Sequence, residues 1–166
     1  MLAPPLNNQM PICLLLDGLY ANGPTFSLCR TRRWKYFIIL KDKDLPSVNQ
    51  EFETLVSLLN ENRCHQLSGQ YNEIERRFSW VDNITYRDSF GCEHSLAVLQ
   101  CLETKPHPGR GIVTSKFKWI TNFQLHQDNI AILANKGGRL RWKIENEGFN
   151  FQKTGDSSWN THTPRT

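Results

Sequence analysis

A change of hydrophobic period partway along the chain limits the folds open to it. Residues Pro11 to Leu16 form an unbroken apolar run, PICLLL, that stops at Asp17-Gly18. Such a run reads as a strand buried on both faces. Asn22-Gly23-Pro24 then opens a helix reaching about Arg33, with Pro24 tolerated in its first turn. Trp34 to Leu40, WKYFIIL, reads as a second buried strand. Strand, helix and strand within about thirty residues make a βαβ unit with parallel strands and a right-handed crossover.

After the polar turn Lys41-Asp42-Lys43-Asp44, the segment Ser47 to Asn60 places Phe52, Leu55, Val56, Leu58 and Leu59 at helical spacing, and Ser47 with Gln50 forms a capping box. From Cys64 to Phe123 the period becomes two, as in RFSWV at Arg77–Val81 and FKWI at Phe117–Ile120, with turns at Ser68-Gly69 and Pro106 to Gly111. This predicts a small antiparallel β region. Trp80, Tyr86, Phe117 and Trp119 alternate as core residues do, although exposed aromatic rings can also stack on bases. Asp128 is placed to cap a helix containing Ile130, Leu133 and Ala134. Gly137-Gly138 either separates two helices or weakens one. The polar residues 156–166 show no periodicity and are expected to form a frayed tail.

At 166 residues the length suits one domain, and 39% hydrophobic with 22% charged residues is ordinary for a globular protein. No apolar run is long enough to span a bilayer, and Leu14 to Leu16 is too short for a signal-peptide core, so no membrane role is expected. Five cysteines without a regular framework fit a reduced, cytoplasmic setting. The absence of a C-x2-C pair argues against a zinc site. Nor is there a nucleophile motif, a Gly-rich phosphate loop or a dinucleotide fingerprint. A formal net charge of +4 favours approach to a polyanion without locating it. Cations cluster at Arg30 to Lys35, read as a helix end, and at Lys136 to Lys143, read with their neighbour Glu145 as a DNA contact.

In the second cluster, Arg141, Glu145, Phe149 and Lys153 stand four apart and so share one helical stripe, placing an acid between cations. Leu140, Ile144 and Phe151 form a separate apolar stripe. The same arrangement also describes a solvated helix with i,i+4 ion pairs, just as Asp17 after a strand also suits a turn cap.

The run Arg141-Trp142-Lys143-Ile144-Glu145 resembles the R-x3-E core of Y-x2-R-x3-E-x6-K, the motif of a subgroup of the DDE transposases of bacterial insertion sequences. Gly138 stands where that pattern has Tyr, and Lys153 follows Glu145 with one residue more than the pattern allows. Asp17, with Gly18 next and Tyr20 three on, is similar to the second aspartate of the same family. Asp17 precedes Glu145 by 145 − 17 = 128 positions, room for the β-rich insertion of this subgroup.

The resemblance implies a partial ribonuclease H-like α/β core, made of the βαβ unit and a C-terminal catalytic helix and interrupted by a β-rich insertion. The expected division is 1–62 for the second half of that core, 63–124 for the antiparallel insertion and 125–155 for the C-terminal helix or helices. It further implies Asp17 and Glu145 as catalytic metal ligands, with Arg141, Lys153, Lys143 and Arg139 on DNA phosphates. Two Mg²⁺ ions, replaceable by Mn²⁺, lie about 3.5–4 Å apart in such sites and drive phosphodiester cleavage and strand transfer. The partners implied are transposon ends and further copies of the chain on DNA. Only sixteen residues precede Asp17, so the expectation is a copy lacking the first catalytic aspartate and inactive alone. A non-catalytic DNA-binding remnant, or a metal-dependent nuclease recruiting Asp42, Asp44 or Glu73, remains open.

Overall fold

The computed structural model describes residues 11–59, 61–69 and 73–140. Strand β1 (Cys13–Leu16) leads through a short 3-10 turn (Gly18–Tyr20) to helix α1 (Gly23–Arg32) and strand β2 (Lys35–Ile39). Asn22 caps α1, accepting hydrogen bonds from the Thr25 amide at 3.0 Å and hydroxyl at 2.8 Å, which satisfies one of the free donors of the first turn. Arg33 ends the helix in the left-handed region at φ 57°. β1 and β2 are parallel, in register from Cys13 opposite Lys35 to Leu16 opposite Ile38, as a βαβ unit requires.

Helix α2 (Pro46–Leu58) follows, then strands β3 (Arg63–Ser68), β4 (Ile74–Arg87), β5 (Glu93–His107) and β6 (Gly111–Thr121). The alternating segment is antiparallel as its period predicts, yet it forms no separate sheet. β6 pairs with β2 through Phe37 opposite Thr121 and Ile39 opposite Trp119, giving one mixed six-stranded sheet in the order β1-β2-β6-β5-β4-β3. α1 and α2 pack on one face, where Phe26, Phe52, Ile38, Val98 and Ile120 meet. The other face carries Phe37, Trp80, Leu99 and Trp119 beneath helix α3 (Ile130–Leu133) and a π-helical turn (Ala134–Gly138). Trp80 and Trp119 are therefore core residues.

Three local expectations need correction. β1 is half-buried rather than enclosed, because it is an edge strand with β2 as its single neighbour. α2 begins at Pro46 behind a left-handed Leu45 (φ 42°), with no side-chain cap; Pro46 sets the first turn one residue before the expected Ser47 box. The N-cap of α3 is Asn129 rather than Asp128, and its Oδ1 accepts from the His126 amide outside the helix. At Gly137-Gly138 the helical path widens into the π turn and continues through Arg139 and Leu140. Among the described residues no helix is long and apolar enough to cross a membrane.

Candidate functional site

Asp17 leaves β1 in extended conformation, φ −73° and ψ 162°. Leu15 and Ile39 pack on the face that carries α3. Strand alternation brings Asp17 and Lys41, each two residues further on, to that same face. There Lys41 Nζ lies 3.5 Å from Asp17 Oδ1, with the Asp17 side chain 30% exposed. The loop holding Lys41 is closed by the Asp44 amide on the Lys41 carbonyl at 3.0 Å and by the Lys41 amide on Asp44 Oδ2 at 3.2 Å. Asn49 in α2 braces it by donating to the carbonyls of Lys41 and Asp44. A Cβ on Gly18 would sit 2.6 Å from Asp44 Oδ2 and 3.1 Å from the Ile39 carbonyl, so the glycine after Asp17 lets the β1 and β2 loops touch.

The last described turns lie over β2 and β6. A Cβ on Gly137 would come within 2.8 Å of the Phe37 ring, and one on Gly138 would overlap the Trp119 indole; the Arg139 guanidinium lies over Phe117 at 5.2 Å. Phe37 stands level with Thr121, Ile39 level with Trp119, and Phe117 lies two residues beyond along β6. The helical path therefore rises toward the end of the strands at which Asp17 lies, while crossing the sheet from β2 to β6 and β5, away from edge strand β1. A cleft of about 450 Å³ opens there between Gly138, Trp119, Phe117, Lys41 and Lys116.

The cations around this cleft have internal partners. Lys116 Nζ pairs with Asp42 at 3.1 Å, a contact whose hydrogen bond and charge hold the Asp42 carboxyl below its ordinary range. Lys118 is buried, donates to Asn49 and Glu53 at 2.8 Å each and lies over the Phe52 ring. Arg139, expected on DNA, is turned inward: its Nη1 donates to Glu103, a β5 carboxylate only 2% exposed, which also accepts from Arg76 at 2.8 Å. This guanidinium is a structural ion-pair partner because the π turn aims it at the sheet.

The structure thus brings Asp17 together with Lys41 and Asp44, and places Arg139 on the helical path above the same face. Glu145, Arg141, Lys143 and Lys153 lie outside the described residues. Glu73 stands beside Gly69 at the β3–β4 turn, toward the other edge of the sheet from Asp17, and Asp42 is exposed. Among the described residues no group of three or more His, Cys, Asp or Glu side chains is arranged to hold a metal ion. The Asp17 side chain is 30% exposed although its Oδ1, the oxygen facing Lys41, is buried, and as a hard oxygen donor it could supply one ligand to such an ion.

Two participants were missed in the sequence. Lys41 lay in what reads as an ordinary polar turn. Glu103 carried a visible signal, an acid at the parity of Leu99 and Cys101, which are core positions in the same strand. No sequence profile of a known protein family matches the chain, and comparison with curated protein sequences gives no match either.

Proposed function

We propose that this chain carries part of the catalytic site of a DNA transposase, with β1, α1 and β2 as half of a ribonuclease H-like core, and that it works on DNA in the cytoplasm. One observation carries the reading: Asp17 ends a strand of a parallel βαβ unit, on the face and at the end toward which the α3 path rises. The chain continuing from Leu140 carries Arg141 and Glu145 within five residues. An acid at the carboxyl end of a parallel strand is where α/β sheets present their chemistry.

In this reading Asp17 and Glu145 would hold divalent ions, Mg²⁺ or Mn²⁺, which when bound would supply activation of a water or 3′-hydroxyl and charge neutralisation at the leaving oxygen. Lys41 partly neutralises the Asp17 carboxylate. Arg141, Lys143 and Lys153 hold phosphates of the transposon end, giving salt-dependent affinity rather than sequence reading. Copies of the chain meet on paired ends. Asp44 beside Gly18 keeps open the second reading, a nuclease that cuts without joining.

Mn²⁺ titration followed by electron paramagnetic resonance tests the metal assignment. Wild type is expected to bind Mn²⁺, and Asp17→Asn and Glu145→Gln each to weaken binding by about tenfold. Equal binding in all three would reject the shared site. On an insertion-sequence end the chain should give a salt-sensitive gel shift, and in nicking and strand-transfer assays cutting with joining would support the transposase, whereas cutting without joining would favour the nuclease.

A further inference from the structure

We propose that the cleft beyond the C-terminal end of α2 binds a small amphiphilic organic anion, one that joins a charged head to an apolar ring and an N–H or O–H donor. Strand register puts its lining on one face of the sheet. Arg63, Ser79 and Gln100 stand level on β3, β4 and β5, and His65, Arg77 and Leu102 form the next such row. Side chains two apart along a strand share a face, and Val56 closes the space from α2. The cleft measures about 560 Å³, within the roughly 300–1,000 Å³ of small-molecule sites. It lies across β3 to β5, away from Asp17 on β1.

Charge sets the head group. Arg63 and Arg77 are permanent cations, and Glu75 is the one acid among the described residues that line the cleft. Arg77 Nε donates to Glu75 at 2.7 Å and His65 Nε2 lies 3.1 Å from the same oxygen, so that carboxylate is already engaged. Arg63 Nη2 donates to the Val56 carbonyl in the last turn of α2 at 3.0 Å, which fixes its guanidinium without cancelling its charge. The surplus is positive whatever the protonation of His65, and a guanidinium presents paired donors to sulfonate, carboxylate or phosphate oxygens. Val56 and Leu102 favour an apolar body. Gln100 calls for the donor. Its Oε1 is buried and no described donor reaches it, although most buried acceptors are paired. The cation level with it on β6, Lys118, donates to Asn49 and Glu53 instead. A terminal amide torsion is soft, so a small turn presents this oxygen to a donor in the cleft.

Fluorescence titration of the full chain with 8-anilinonaphthalene-1-sulfonate tests the site, because this dye joins a sulfonate, aromatic rings and an anilino N–H. Saturable binding of one dye per chain is expected. Arg77→Gln should weaken it about tenfold, and the Arg77 side chain is 70% exposed, so its loss leaves the fold intact. Gln100→Leu should weaken it about fivefold while the urea midpoint stays at or above that of wild type, since an unpaired buried acceptor is removed. N-phenyl-1-naphthylamine keeps the rings and the N–H but lacks the sulfonate, and should bind about tenfold more weakly than the sulfonate dye. Equal affinity in wild type and Arg77→Gln, or equal affinity of the two dyes for wild type, would overturn the anion site. Unchanged affinity in Gln100→Leu would overturn the part assigned to Gln100. Absence of saturable dye binding to wild type would overturn the whole.

Discussion

Gly138 shows at single-residue scale how two effects compete. Alanine is a better helix former than glycine by about 1 kcal/mol. A Cβ there, however, would overlap the buried Trp119 ring, and overpacking costs about 1–3 kcal/mol. Gly138→Ala is therefore expected to lower stability by about 1–2 kcal/mol in urea denaturation. Glu103 gives a pH signature. Burial pushes its carboxyl up, but Arg139 and Arg76 more than reverse this and hold it below the usual carboxylate range. A depressed folded value means the unfolded chain binds the proton first as pH falls. The resulting stability is fully present above the ordinary carboxylate range of the unfolded chain and is lost as pH falls through the lower folded value. The acid limb of the stability curve should be shallower in Glu103→Gln. Cys101, its neighbour two residues before, is pushed up to about 11 by burial and should resist iodoacetamide at neutral pH while exposed Cys92 reacts.

Individual elements follow from local chemistry where that chemistry is complete, and depart where it is not. α1 was legible because Asn22, Pro24 and the apolar positions Phe26 and Cys29 agree. Its exit is less favourable: exposed Arg33 adopts φ 57°, a conformation that costs an L residue about 1–2 kcal/mol. Arg33→Gly should raise the thermal midpoint, with a gain of up to about 1 kcal/mol after the entropy cost of glycine. β1 was read as a strand with its limits nearly right, yet its burial was overstated. Leu14 to Leu16 look the same in sequence whether a strand has one neighbour or two. The capping box of α2 failed for a related reason: Ser47 and Gln50 carry the right groups, but Pro46 already occupies the first helical position.

Across the whole molecule, the strand–helix–strand unit and the switch to antiparallel pairing were both legible, because hydrophobic period is a local property of the chain. That β6 would add to β2, fusing both regions into one sheet, was not. The pairing depends on Ile38 meeting Ile120 across 82 positions (120 − 38 = 82), and no local pattern states which edge a strand will choose. The candidate site divides in the same way. Asp17 and its glycine were visible as a strand end, and Lys41 lay unremarked in a turn until Asn49 folded that loop beside it.

By itself the amino-acid order determined where strands and helices form, which residues tend inward, and that an acid closes the first strand. Only the tertiary structure decided which face Asp17 shares, that Arg139 turns in to a buried carboxylate rather than out to solvent, and that the two glycines flatten a helix onto aromatic rings. The physical reason is that period and capping act over a few neighbouring residues. Burial of charge, edge pairing and close approach are set by groups that only folding brings together.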